Sequence, residues 1–424
     1  MIERSFYLNK LIHSMWNGDV KVITGIRRCG KSVLLFELFY DYLIKSGVDE
    51  GHILKFELDQ RKYYQYRNPI LLCEYVERIV NADKEQKYYL FIDEVQFTIK
   101  VVDEEHGGVE VSIYDMLNEL KAYRNLDVYV TGSNSKMLSK DIATEFRGRA
   151  TPIHVYPLSF EEFYSYTGGN KREALEQYML YGGLPRLAAL PAERDKKEYL
   201  SRLYNELYLK DIVERNKLER EDVLSAILDY LASQIGSLTN PNNIANALTS
   251  MRGERINSNM VSSYITHAMD AFLIEMARRY DVKGKTYFNY PNKYYYTDVG
   301  LRNARLNYRQ YDPGHIMENI IYNDLVRRGY SVDVGVVTER KRNEKTQREI
   351  DFVVNEGDRR IYIQSAYQMD SDKKETTELL SLKLTGDFFK KIIVRMDIPH
   401  NYYDSEGVYH CNLIDFLLGE VELF

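Results

Sequence analysis

Little cysteine, no long apolar run and no excess of basic residues set the first limits on this chain of 424 residues. Its three cysteines, Cys29, Cys73 and Cys411, stand far apart, which excludes a disulfide framework and a cysteine-based zinc site. No stretch approaches the roughly 18 consecutive apolar residues of a membrane-spanning helix, so no membrane partner is expected. The opening MIERSFYLNKLIHSMW is charged early and lacks a small-residue cleavage site, so no signal peptide is expected either, and the default compartment is the cytoplasm. A formal net charge of −6 argues against a general nucleic-acid coat, though not against a local basic patch. There is no internal repeat and no low-complexity block. What remains is a chain too long for one ordinary core, which suggests two or three domains of a soluble globular protein. Tyrosine is abundant at 37 residues, and clusters such as YYQY and KYYYTD read as half-buried strand and helix faces before they read as base-stacking platforms.

Against that background, VITGIRRCGKS at 22–32 stands out. A β-branched run, 20–24, ends at Gly25 and is followed by KSVLLFELFYDYLIKSG, a long apolar-rich helix. Glycines at 25 and 30 let main-chain N–H groups turn inward as an anion nest, and the helix presents its amino end to the same charge. Gly25, Arg27, Arg28, Cys29, Gly30, Lys31, Ser32 and Val33 are therefore the candidate phosphate cradle. Lys31 would supply positive charge to the outer phosphates, and the Ser32 hydroxyl would ligate Mg²⁺. Cys29 reads as a position that needs a small side chain.

Hydrolysis of a bound ATP needs two further groups, a carboxylate for the metal shell and a base for the attacking water. YYLFIDE at 88–94 ends a buried strand on two acids. Alternation sends them in different directions, which assigns Asp93 to magnesium and Glu94 to the water. DVYVTGS at 127–133 offers Thr131, Ser133 and the next residue, Asn134, as γ-phosphate or water contacts, with Ser133 preferred. In EFRGRA, Arg147 and Arg149 flank a glycine. Either could stabilise transition-state charge, from within its own subunit or across an interface.

Strands at 20–24, 53–59, 88–94, 127–133 and 151–160, with helices at 69–81, 112–124 and after the fourth strand, indicate a parallel sheet covered on both faces. From 159 to about 220 the pattern turns helical. Residues 221–311 hold three helices and a hairpin with KGK at its turn, which suggests a winged helix-turn-helix. Residues 312–424 form a further α/β unit.

The order of KVITGIRRCGKS, LFIDEVQ, VYVTGSNSKML and FRGRATPIHVYPLSFEEF, with YGGLPR at 181–186 and KYYYTDVGLRN at 293–303, resembles the AAA+-type P-loop ATPases of a bacterial and archaeal group with a carboxy-terminal domain of unknown function. The resemblance spans essentially the whole chain. It implies an ATPase domain at 1–158, a helical segment at 159–220, a winged helix at 221–311 and a restriction-endonuclease-like domain at 312–424. It also implies that the Arg27–Arg28 pair is typical of the group.

Nuclease folds of that kind hold magnesium with an acidic residue on a helix, an Asp on one strand and Glu-x-Lys on the next. Glu318 and Asp351 fill the first two positions, but Gln364 stands where the Glu belongs and Ala366 where the Lys belongs. No cleavage is expected. Nor is strong DNA binding. The predicted recognition helix has no Lys or Arg, acidic and basic residues nearly balance over 221–300, and the best basic candidates are Lys283, Lys285 and the mixed-charge 339–348. The expected function is an ATP-driven switch or motor, acting as a homo-oligomer or on a protein partner. The alternative is an ATP-dependent DNA-binding or DNA-processing protein.

Overall fold

The computed structural model describes residues 2–104, 107–133, 149–341, 344–369 and 372–424. They divide into two compact units, Met1–Tyr156 with Asp270–Phe272, and Pro157–Met269 with Leu273–Phe424.

In the first unit, β1 (Val20–Thr24), β2 (Ile53–Glu57), β3 (Tyr88–Asp93), β4 (Leu126–Gly132) and β5 (Ala150–His154) form one sheet in the order β2-β3-β4-β1-β5. Every neighbouring pair is parallel. Alternate residues serve opposite faces, and both faces are covered, which is why these strands are apolar almost throughout. Leu90, Ile92, Val128 and Val130 pack with Leu72, Val76 and Val80 of helix Pro69–Ala82 and with Leu117 and Leu120 of helix Ile113–Leu120. On the other face Phe39 meets the rings of Phe91 and Tyr129 at 5.8 and 4.9 Å between centroids. Within the sheet the buried Lys21 ammonium pairs with Asp127, whose other oxygen accepts Tyr129 Oη at 2.7 Å and the Trp16 main-chain N–H at 3.0 Å.

Two expectations shift in detail. The helix after β1 is α-helical over Lys31–Val33 and Tyr40–Lys45, with a π-helical turn at Leu34–Phe39 between. The strand expected to run to 160 stops at His154. Ser159 and Glu162 instead form a reciprocal capping box that starts helix Phe160–Thr167, and this local hydrogen bonding outweighs the apolar run. The short helix expected after β4 falls outside the described residues.

The second unit is helical to Met269, its last three helices being Glu221–Ser233, Pro241–Arg252 and the one that begins at Ser258. β6 (Ile274–Ala277) then pairs antiparallel with β9 (Lys293–Tyr296). Between them, β7 (Arg279–Asp281) and β8 (Thr286–Tyr287) form the hairpin expected around residues 283–285, with Asp281 accepting the main-chain N–H groups of Lys283 and Gly284 at 3.0 and 2.8 Å. This hairpin is the edge of a larger sheet. β7 runs parallel to β10 (Ser331–Lys341), and β11 (Glu344–Glu356), β12 (Arg359–Ala366), β13 (Lys390–Arg395), β14 (Tyr402–Tyr403) and β15 (Tyr409–Asn412) complete eight strands in the order β8-β7-β10-β11-β12-β13-β15-β14.

The two motifs YGGLPR and YTDVGLRN meet inside this unit. Asp298, fully buried, accepts the Gly183 N–H at 2.7 Å and caps helix Val299–Arg305 through Leu301 N–H at 3.1 Å. Asn303 Nδ2 donates to the carbonyls of Met179 and Leu180 at 3.0 Å each. A side chain at Gly300 would stand 1.9 Å from the Tyr181 carbonyl, so only glycine allows this approach. Burial lifts the Asp298 carboxyl to about 6 despite these N–H donors.

Candidate functional site

The loop after β1 lies at the carboxyl end of the parallel sheet, where β1 is flanked by β4 on one side and β5 on the other. Strand order reverses there, and this is where open α/β sheets bind ligands. Gly25 adopts φ 144°, and a Cβ on it would lie 2.1 Å from the Val155 carbonyl oxygen. Arg28 and Gly30 also take positive φ, at 66° and 100°, which curls the loop back onto the helix amino end. The buried Cys29 donates its thiol to Val155 O at 3.2 Å, and burial pushes that thiol up, leaving it neutral and unreactive. Arg4, a residue the sequence reading did not single out, clamps the loop by donating to Cys29 O at 2.9 Å and Tyr156 O at 2.7 Å.

Lys31 is only 4% exposed, and its ammonium donates to the carbonyls of Gly25 and Ile26, both at 3.1 Å. Ser32 Oγ donates to Asp93 Oδ2 at 2.8 Å, joining the helix to the end of β3. Thr131 on β4 donates to the other Asp93 oxygen. Burial raises the Asp93 carboxyl, while Thr131, Ser32 and the Lys31 charge pull it back. Arg27 is half-buried, Arg28 is exposed, and the Val33 side chain faces solvent. Val33 can therefore contribute only its main-chain N–H, one of the first in the helix.

Glu94 does not continue the strand alternation. It sits in the left-handed region, φ 53° and ψ 53°, a strained backbone for a residue with a Cβ and one that concentrates at functional sites. Its N–H donates to Thr131 Oγ at 3.0 Å. Its carboxylate accepts the side-chain amide of Gln96, which also reaches the buried Ser133 hydroxyl at 3.4 Å. The sequence reading missed Gln96. The available signal was a polar residue two positions beyond paired acids, at the end of LFIDEVQ.

Lys31, Ser32, Asp93, Glu94, Thr131 and Ser133 thus converge. Arg149 does not join them. Its carbonyl accepts from Val20 N–H at the amino end of β1, and its side chain is exposed there. That end lies roughly 13 Å of strand away from the loop. Asn134 and Arg147 lie outside the described residues.

In the second unit Glu318, Asp351 and Gln364 line one cavity of about 700 Å³. Lys293, which the sequence reading did not connect with them, also lines it and is 2% exposed. Burial would discharge the Lys293 amine, but Glu318, Asp351 and Glu349 outweigh that and hold it above the usual lysine value. Of the basic candidates, Arg348 is paired with Glu339 at 2.8 Å.

Residues 17–164 match the family described as an AAA domain. Residues 172–312 and 313–409 match two domains of unknown function, DUF8612 and DUF4143. The chain is 33% identical to an uncharacterized protein of Haemophilus influenzae, across 99% of both sequences. An uncharacterized protein of Methanocaldococcus jannaschii is 27% identical over 84% of this chain and 76% of its own. Among solved structures, a Walker-type ATPase of Pyrococcus abyssi is similar with a TM-score of 0.47 and 15% identity, covering 72% of this chain and 96% of that one.

Proposed function

Because the chain belongs to the family of its Haemophilus influenzae relative and carries an AAA domain over residues 17–164, we propose that it binds ATP with the 25–33 loop and helix end and hydrolyses it with magnesium. The observation that carries the reading is the convergence of Ser32, Asp93 and Thr131 beside the buried Lys31. Ser32 Oγ and Asp93 Oδ2, 2.8 Å apart, make an all-oxygen donor pair that suits Mg²⁺, and they are the residues that would hold it. When bound, the ion supplies positive charge to the phosphate oxygens.

Each protein group then has a task. Main-chain N–H groups from Gly25 to Val33 cradle the phosphates. Lys31 turns its ammonium from the loop carbonyls to the outer phosphate oxygens. Glu94 takes a proton from a water as that water adds to the γ-phosphorus and the bond to the ADP oxygen breaks. Gln96 and Ser133 fix the position of that carboxylate and water. In this reading 1–158 is the ATPase domain, 159–220 a helical segment, 221–311 a winged helix, and 312–424 a restriction-endonuclease-like domain that does not cleave. Hydrolysis drives a conformational switch felt by the last two. Arg147 or Arg149, from its own subunit or across an interface in a homo-oligomer, would stabilise transition-state charge.

The DNA-directed alternative draws little support. Helix Ser258–Asp270 has no Lys or Arg, and Arg348 is already paired. One experiment tests both readings: ATPase rate and particle size measured together, with and without DNA. Magnesium-dependent turnover that is lost in Lys31→Ala and Glu94→Gln, with ATP binding retained in Glu94→Gln, supports the first. Turnover that those variants leave intact overturns it. Salt-sensitive stimulation by DNA would move the reading to the alternative.

A further inference from the structure

We propose that the Lys293 ammonium is the built-in cation of a carboxylate cluster formed by Glu318, Glu349 and Asp351, and that it closes this cluster to divalent metals. The carboxylates come from two elements. Glu318 projects from helix Pro313–Arg327, and Glu349 and Asp351 are two apart on β11, hence on one face. Lys293 enters from β9. Its Nζ lies 2.7 Å from Glu318 Oε1, 2.6 Å from Glu349 Oε1 and 3.7 Å from Asp351 Oδ1. Tyr295, on the same face of β9, donates to the same Glu318 oxygen at 2.6 Å.

Two buried carboxylates, Glu318 and Asp351, with the half-buried Glu349 against them, need positive charge beside them, because unpaired buried charge is strongly destabilising. A divalent ion bound by six or more oxygens is one solution, and an ammonium with three donors is another. Here the second is present, and the remaining polar groups are turned away from the first. The Gln364 side-chain oxygen accepts the Asp351 main-chain N–H at 3.0 Å, and its amide nitrogen donates to Glu378 Oε2 at 2.7 Å. Both ends of that amide are occupied, so it has no oxygen turned toward a metal. Asp351 Oδ2 is taken by the Ser365 N–H at 2.8 Å. Ala366, fully buried, brings no amine. The donor set therefore does not fit the magnesium site implied for a nuclease-like domain, and the lysine that fills the charge requirement comes from β9, outside the Glu-x-Lys strand.

The test counts bound Mn²⁺ by electron paramagnetic resonance on the full-length chain without nucleotide. The wild type and Asp351→Asn should bind the same number of ions, as should Glu349→Gln, a change at the most exposed of the three carboxylates. Lys293→Ala should gain one Mn²⁺ per chain and lose it again in Lys293→Ala/Asp351→Asn. If Lys293→Ala folds only with Mn²⁺ present, that is the same gain read through stability. A wild type that loses one ion on either carboxylate change would overturn the proposal, as would a folded Lys293→Ala with no gain. The comparison of wild type with Glu349→Gln decides the first half even if the lysine variant does not fold.

Discussion

The hydroxyl of Thr131 accepts the main-chain N–H of Glu94 at 3.0 Å while donating its own proton to Asp93. One buried side chain thereby fixes both acids at the end of β3. Thr131→Val keeps the shape and removes the hydroxyl, leaving a buried N–H and a carboxylate oxygen each short of a partner. It should cost about 1–3 kcal/mol of stability by urea unfolding. ATP turnover should fall more than nucleotide affinity, a split that steady-state kinetics and equilibrium binding together read out.

The Gln96 side-chain amide donates to the Glu94 carboxylate and to the Ser133 hydroxyl. Gln96→Ala should leave ATP affinity nearly unchanged and lower kcat by roughly tenfold, a fraction of what a positioned acid–base group supplies. Gln96→Asn, which keeps the amide but shortens its reach, should recover part of the loss. An equal loss of binding in both variants would mean that Gln96 only supports the loop.

The buried Lys21–Asp127 pair is a stability element remote from that chemistry. Lys21→Met strands a carboxylate that retains, among the described residues, Tyr129 and Trp16 as donors, and should destabilise the first unit by about 3–5 kcal/mol. Lys21→Met/Asp127→Leu should be clearly more stable than the single variant by denaturant titration, because it removes the unpaired charge.

Asp298 provides a pH dependence with a defined sign. Its carboxyl is lifted to about 6 in the folded chain, so between roughly pH 4 and 6 the folded state holds a proton that the unfolded state has released. Its contribution is largest below that window and declines as pH rises through it, by about 3 kcal/mol in all. Asp298→Asn should therefore destabilise more at pH 4 than at pH 7, measured as the difference in unfolding free energy between variant and wild type.

The sheet and the loop were legible from sequence because strand alternation and glycine spacing are local signals. Residues 20–24 and 88–93, with Gly25 and Gly30, lie close to where they were expected. The capping box at Ser159 was missed because a polar pair three residues apart was outweighed by the apolar run around it. Gln96 and Arg4 were missed because their roles depend on which loops fold back toward them. Lys293 shows this most clearly. It lies 25 residues from Glu318 and further from Asp351, on a strand that read as part of another domain, and the packing of β9 on helix Pro313–Arg327, with Asn319 bonded to the Tyr296 main chain, sets it beside those acids.

The π-helical turn at Leu34–Phe39 spends more residues on its turn than an α-helix would. Winding the same residues as a regular α-helix instead would add about one residue's worth of rotation to the segment. Everything downstream would then rotate by about 100° about the axis, carrying Phe39 and Leu43 off the sheet and turning neighbouring polar positions inward. The widened turn is thus a register shim, which lets one continuous rod present its first residues to the loop and its later ones to the aromatic face of the sheet.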